Sequence, residues 1–486
     1  MPALRRGAQA PPRRAGEVSE ASAPLDRGIR EYKAGAFESA ERDLKEALRT
    51  NPHVAAAHAY LGLSMARTGD LTHATKELER ASEIDPARSD YAYDEAVLLI
   101  KVKRYSAAIP ILEKLRPESP QSPEVLVNLA RAYAGSGEWN ELSKLTAQLP
   151  DDLYGNAKFL EALAGILASS RRFDALEQLW EGAIRSEPGS SLPYAALAEL
   201  WVEENRPREA LALLDGAPAA ARDPVFLYAY GESQMALGDS GATVTFRRLI
   251  EQTPGNQGAW AALARAEMRA GQFADAEATA QRAARRFPGS REFLYQLAVA
   301  NYLMDRNGSA LAAIRPVVAA PGYRNPQAIL LAAVLESETG HYREAVTYFE
   351  TLKHSETGCN ALATYFYGST LLRMRQPSRA VSELRAAIRC RPRFALAEYR
   401  LGQGLAELGR TRDALGELQK SIRDDAKLSD AYYALAQLRR RMGDARGARD
   451  ALAQFNQLRH DAGPPDARLL RSTFEGQESQ PGADRR

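Results

Sequence analysis

Small apolar residues return along this chain at a nearly constant interval. Glycine or alanine stands at Gly28, Gly62, Ala96, Ala130, Ala164, Ala198, Gly231, Ala264, Ala298, Ala333, Gly368, Gly402 and Ala436, in steps of 33 to 35 residues. A second small position follows each of these, at Ala40, Ala74, Ala108, Ala210, Ala276, Ala310, Ala345, Ala380, Ala414 and Ala448, with Leu142, Leu176 and Thr243 as the departures. Between the two positions lies a turn, occupied by Gly35, Gly69, Gly137, Gly238, Gly271, Gly340, Gly409 and Gly443. Glycine there ends a helix in the left-handed conformation without a steric cost. Each interval therefore predicts two helices joined by a tight turn, with small side chains where the helices approach most closely. Lys103, Arg171, Asn205, Asp305 and Arg375 fill the turn elsewhere, which predicts weaker punctuation and boundaries free to slip by a residue.

Prolines mark the junctions between intervals: Pro52, Pro86 and Pro120 lie 34 residues apart, as do Pro254 and Pro288. The frame places unit starts near residues 21, 55, 89, 123, 157, 191, 224, 257, 291, 326, 361, 395 and 429. One unit carries the fullest set, with Trp260, Leu263, Ala264, Gly271, Phe273, Ala276, Ala283 and Pro288. On these residues the chain resembles the tetratricopeptide repeat family over roughly residues 21 to 460. The match is specific to the repeat class and not to any one member. The resemblance implies an all-α, right-handed superhelical solenoid of about thirteen stacked helix-turn-helix repeats, in which neighbouring units bury one another's apolar faces. It also implies a concave groove lined by the first helix of each unit, and work done by binding.

Outside the array, residues 1 to 20 are rich in Ala, Pro and Arg and are expected to be a disordered arm. After Gly463, Pro464 and Pro465, the apolar cluster Leu469, Leu470 and Phe474 predicts a short capping helix around Asp466 to Phe474, followed by a loose tail to residue 486. The two cysteines, Cys359 and Cys390, have no disulfide-framework spacing and read as ordinary thiols. The longest apolar stretch, Ala328 to Leu335, is far too short for a bilayer span. No apolar core of a secretory signal follows Arg5, Arg6, Arg13 and Arg14. A cytoplasmic location is expected, with a periplasmic or envelope location if the true start lies upstream. The Ala-, Arg- and Gly-rich composition suggests a bacterial source.

A formal net charge of +2 on 486 residues does not indicate a strongly basic duplex-binding surface. The six histidines form no ligand set: His53 and His58 are five residues apart with no cysteine or carboxylate completing a site. Gly402, Gly404 and Gly409 mimic a dinucleotide loop, but no strand precedes them and two of them are repeat positions. No phosphate loop or nucleophile elbow appears, and family members that are enzymes carry a separate catalytic domain for which this chain has no room. The expectation is a non-catalytic protein without cofactor or metal.

The expected groove position one turn ahead of the small-residue stripe reads Tyr93, Tyr228, Tyr295, Tyr365, Tyr399 and Tyr433. Rigid amphipathic rings are enriched at interfaces, so Tyr228, Tyr295, Tyr365, Tyr399 and Tyr433 are candidate contacts for a partner. The last three are expected to form a continuous ladder. Glu161, Glu199, Glu203 and Glu232 suggest an acidic stretch, with Glu199, Glu203 and Glu232 as candidates for a basic partner segment. Lys33, Arg67 and Lys101 sit where a cation relieves the helix dipole. The carboxylate clamp of chaperone-binding members is represented only by Asn128 and Arg131, with Tyr93, Val97, Lys158 and Ala162 at the other positions, which disfavours that mode. The leading expectation is a protein-protein scaffold holding a peptide or folded partner in the groove. The alternative is an assembly factor for bacterial envelope or exopolysaccharide export, and an RNA-binding helical repeat comes last because the groove is not read as basic.

Overall fold

A computed structural model describes residues 22–320, 322–355, 360–458 and 465–477. The N-terminal arm, the tail after residue 477 and Cys359 lie outside the described residues. These hold 27 α-helices and two short 3-10 segments, and no strand. In order they are α1 Ser22–Lys33, α2 Phe37–Thr50, α3 Ala55–Thr68, α4 Leu71–Ile84, α5 Ser89–Lys101, α6 Tyr105–Leu115, α7 Pro123–Ser136, α8 Trp139–Ala147, α9 Ala157–Ser169, α10 Phe173–Ser186, α11 Ser191–Glu203 and α12 Pro207–Asp215. There follow α13 Pro224–Leu237, α14 Gly241–Gln252, α15 Gln257–Arg269, α16 Phe273–Arg286, α17 Arg291–Leu303, α18 Asn307–Val318, α19 Pro326–Glu338 and α20 Tyr342–Ser355. The last are α21 Ala361–Arg373, α22 Pro377–Cys390, α23 Ala395–Glu407, α24 Thr411–Asp424, α25 Ser429–Arg441, α26 Ala445–Leu458 and α27 Pro465–Gln477. The first 26 helices are thirteen pairs, so the 34-residue spacing is a spacing of helix pairs.

The pairs form two compact units. One comprises residues 22–200 with 215–223, the other 201–214 with the described residues from 224 to 477. Within the first unit, the side chain absent from Gly62 leaves room for α4: a Cβ there would lie 2.9 Å from the Ala74 carbonyl oxygen and 2.9 Å from Leu78 Cγ. Leu78 is 1% exposed, and burying such a side chain contributes on the order of 2 kcal/mol. In the second unit Phe246 takes that place against Gly231, and Leu384 and Leu418 take it against Gly368 and Gly402. The junction prolines serve the stacking of pairs through their carbonyls: Pro52 O meets His58 Nε2 at 2.9 Å, and Pro254 O accepts from Trp260 Nε1 at 3.1 Å.

The five turns without glycine are as sharply punctuated as the others. Lys103, Arg171, Asn205, Asp305 and Arg375 take φ of 61°, 54°, 62°, 60° and 57°, the left-handed region that glycine occupies in the other turns. The cost of that conformation, about 1–2 kcal/mol for a residue with a Cβ, is offset by closing hydrogen bonds such as Arg104 N to Leu99 O at 2.8 Å. Lys103→Gly and Arg171→Gly are therefore expected to stabilise the first unit by about 0.5–1 kcal/mol each, after the entropy of glycine is counted. Equal or lower urea midpoints would contradict this. Two second helices, α8 and α12, are short because Pro150 and Pro218 follow them, and each is succeeded by a 3-10 segment, Asp151–Gly155 and Ala219–Ala221.

His58 is structural. Its Nδ1 faces Glu77 Oε2 at 2.6 Å while Nε2 faces the Pro52 carbonyl. Glu77 raises its pKa above the ordinary value, against an opposing effect of burial. A raised folded value means the imidazolium stabilises the fold fully below the unfolded value near 6.5, and that this contribution is lost as pH rises through the folded value. His58→Gln should remove about 1 kcal/mol of stability at pH 5.5 and far less at pH 9. Urea titrations of both chains at the two pH values check it.

Candidate partner-binding surface

In the second unit the odd-numbered helices share one face, and α27 is seated on it. Its anchors lie on α17, α21 and α23. The Asp466 carboxylate accepts from the Tyr365 hydroxyl and pairs with the Arg400 guanidinium. The Tyr302 hydroxyl donates to the Ala467 carbonyl at 3.5 Å, and the Tyr302 ring meets Phe474 edge-on at 6.1 Å. Arg471 reaches Asp305 at 2.6 Å. Leu470 is 0% and Phe474 5% exposed. The expected helix around Asp466 to Phe474 is thus present, but it lies along the shared face of earlier units instead of capping the last pair, because its apolar side chains find their partners there.

Arg400 organises the deepest part of this face. It donates from Nη1 to Gln403 Oε1 at 3.0 Å, Gln403 Nε2 donates to the Tyr399 hydroxyl at 2.8 Å, and the guanidinium lies 5.2 Å from the Tyr399 ring centroid. Burial alone would lower the Arg400 pKa, but the Asp466 carboxylate more than offsets it and holds the group above its ordinary value. Burial and then the same carboxylate push the Tyr365 hydroxyl well above its usual range.

Two hollows of the same unit lie at the ends of α27. One, about 590 Å³, is bordered by Glu232, Arg265, Arg269, Arg291, Tyr295 and Phe474. The other, about 520 Å³, is bordered by Arg373, Arg375, Arg400, Gln403, Tyr433 and Arg441.

The residues singled out from the sequence fall into different environments. Tyr365 is fully buried, packed against Phe366 and Phe394. Tyr399 is 7% exposed, and Tyr433 is 46% exposed with its ring 5.1 Å from Phe455. The expected ladder is therefore replaced by a buried ring, a ring under Arg400 and an exposed ring, because α27 covers the first. Tyr295 borders the first hollow and reaches Gln327 Oε1 at 3.5 Å. Tyr228 is half-buried, edge-on to Phe246 at 6.0 Å. Glu232 is not part of an acidic surface: Arg265 pairs with it at 2.6 Å, and Arg269 and Arg291 stand nearby. Glu199 and Glu203 are exposed on α11. In the first unit Asn128 donates to the Tyr93 hydroxyl at 2.9 Å and accepts from Arg131, so these two residues serve the fold and not a clamp.

Arg400 and Asp466 were missed in the sequence because they belong to no repeated position. The available signal was the spacing of Asp466, Leu470 and Phe474, four residues apart on one helix face. Cys390 is disulfide-bonded, which corrects its reading as a thiol; the reading of Cys359 falls outside the described residues. No group of three His, Cys, Asp or Glu suited to a metal ion occurs among the described residues, nor any helix long and apolar enough to cross a membrane.

Three models of the tetratricopeptide repeat match the chain, over residues 25–90 and 367–429, 99–166, and 257–300. The chain is a tetratricopeptide repeat protein. Among solved structures it is similar to the APC/C hetero-tetramer Cut9-Hcn1, at 12% identity and a TM-score of 0.40, over 94% of this chain and 96% of that one. It is similar to MamA from Desulfovibrio magneticus RS-1 at 19% identity and a TM-score of 0.32, over 35% of this chain and 97% of that one. It is also similar to YrrB, described as a tetratricopeptide repeat protein with an unusual peptide-binding site, at 18% identity and a TM-score of 0.31, over 40% and 97%. Likenesses at this level carry no argument about function. None of the curated proteins matches.

Proposed function

We propose that this tetratricopeptide repeat protein is a non-catalytic scaffold that holds a segment of a partner protein on the shared face of α13 to α25. The observation that carries the reading is that this face already buries a segment from outside the repeat frame, with a hollow beyond each end of it. Arginine and tyrosine at those hollows are the residue types that dominate binding energy at interfaces. Tyr433, Arg373 and Arg441 are the side chains offered to a partner, and Tyr295 and Tyr228 border or support the first hollow.

Assembly work in the bacterial envelope is the more particular reading. The test is recovery of co-purifying proteins from separated soluble and envelope fractions of the native host, comparing the wild type with a Tyr433→Ala, Arg441→Glu variant. A protein set that is lost in the variant is expected. A set unchanged by the variant moves the site elsewhere, and recovery of nucleic acid alone overturns the scaffold reading in favour of RNA.

A further inference from the structure

The helix on the shared face has the properties of a ligand. α27 belongs to no repeat, and its contacts join residues 66, 101 and 165 positions apart in sequence. Asp466, Leu470 and Phe474 make one buried stripe, while Arg468 and Ser472 on the opposite side are exposed. The carboxylate end of the stripe meets a fully buried tyrosine hydroxyl and a guanidinium that is held in place by Gln403. A charge-assisted pair of donors converging on one point selects an acidic side chain over a neutral one. The apolar end meets the Tyr302 ring.

We propose that this face recognises an amphipathic helix of a partner protein, bearing a carboxylate four residues before an aliphatic side chain and eight before an aromatic one, and that α27 is an internal copy of that helix which the partner displaces. The proposal rests on the scaffold reading and names the class of its partner. Helix-in-groove capture is read from anchors at this spacing. A tethered helix competes at an effective concentration in the millimolar range, so a partner must gain contacts that α27 does not make. The second hollow supplies them: Arg373, Arg375 and Arg441 lie beyond the Asp466 end, facing Glu407 as the one carboxylate of the lining. A partner helix with further acidic residues ahead of its carboxylate would pair with these arginines.

The test uses the full chain with Asp466→Lys, Leu470→Ser and Phe474→Ser, which releases α27 while leaving the thirteen pairs unaltered, as a circular-dichroism helicity lower by no more than the share of α27 verifies. The probe is a fluorescein-labelled peptide with the natural sequence of residues 463–479. Fluorescence anisotropy should show the released chain binding the probe at least about tenfold more tightly than the wild type, in which α27 competes. Asp466→Lys in the probe, or Arg400→Gln in the released chain, should each weaken binding by about tenfold or more. Binding to neither chain, equal binding to both, or indifference to the charge reversal would overturn the proposal. Concentration-dependent dimerisation of the wild type by exchange of α27, seen by light scattering, would overturn it in favour of a second copy as occupant. A failed probe with a partner set still recovered from the host removes the helix and leaves the scaffold; a bound probe with no partner set does the reverse.

Discussion

Phe246→Ala is expected to lower the stability of the second unit by about 3–5 kcal/mol, the range for removing a fully buried phenylalanine ring. The ring is 0% exposed and lies where a side chain on Gly231 would otherwise be: a Cβ there would be 2.6 Å from Phe246 Cζ. It also supports Tyr228 edge-on and belongs to the same apolar cluster as Trp260 and Leu263. Truncation leaves a cavity between α13 and α14 that Gly231 cannot fill. Phe246→Leu should cost less, about 1–2 kcal/mol, since leucine has this role against Gly368 and Gly402. In a stacked array each pair contacts chiefly its neighbours, so hydrogen exchange should accelerate in α13 to α16 well before it does in α21 to α26. A urea-derived loss under about 1 kcal/mol for Phe246→Ala would contradict this account of the core.

Gly62→Ala and Gly165→Ala should act in opposite directions although both place one methyl group in a helix interior. A Cβ on Gly62 would meet the Ala74 carbonyl oxygen and Leu78 Cγ at 2.9 Å, and Leu78 N at 3.2 Å. Two of those atoms are backbone and cannot rotate away, so α3 and α4 must move apart, at a cost of about 1–3 kcal/mol for overpacking. The entropy gained on replacing glycine, about 0.5–1 kcal/mol, recovers part of it. On α9 a Cβ at Gly165 meets nothing within 4 Å, so only the gain remains and the first unit should be stabilised by about 0.5–1 kcal/mol. Urea midpoints of the two variants on the same day decide the matter; a shared sign would mean that helix propensity, not the approach of α3 to α4, governs these positions.

The all-α repeat architecture was legible because its determinants are local and recur. Gly62 and Gly402 mark close approaches, Gly69 and Gly409 take positive φ, and prolines fall at junctions, so one unit predicts the next. The turn at Lys103 was harder to read because the hydrogen bonds that offset its left-handed backbone come from the folded helix end and not from its side chain. The candidate surface was less legible still. The spacing of tyrosines located Tyr365 and Tyr399 on the face that matters, but their roles depend on Asp466, which lies 101 residues from Tyr365 in sequence. Periodicity says nothing about a contact made once. For the same reason the pairing of Glu232 with Arg265, which replaces an acidic surface with a balanced one, was visible only after the helices were stacked.

Hydrogen exchange of the full-length chain, read by mass spectrometry over residues 466–474, tests the central claim most directly. If the shared face of the second unit holds a helix, those amides exchange at least about tenfold more slowly in the wild type than in the Asp466→Lys, Leu470→Ser, Phe474→Ser chain, while α25 and α26 exchange alike in both. Equal rates over residues 466–474 would mean that the face does not hold its own helix, and the account of how it takes a partner would fall with it.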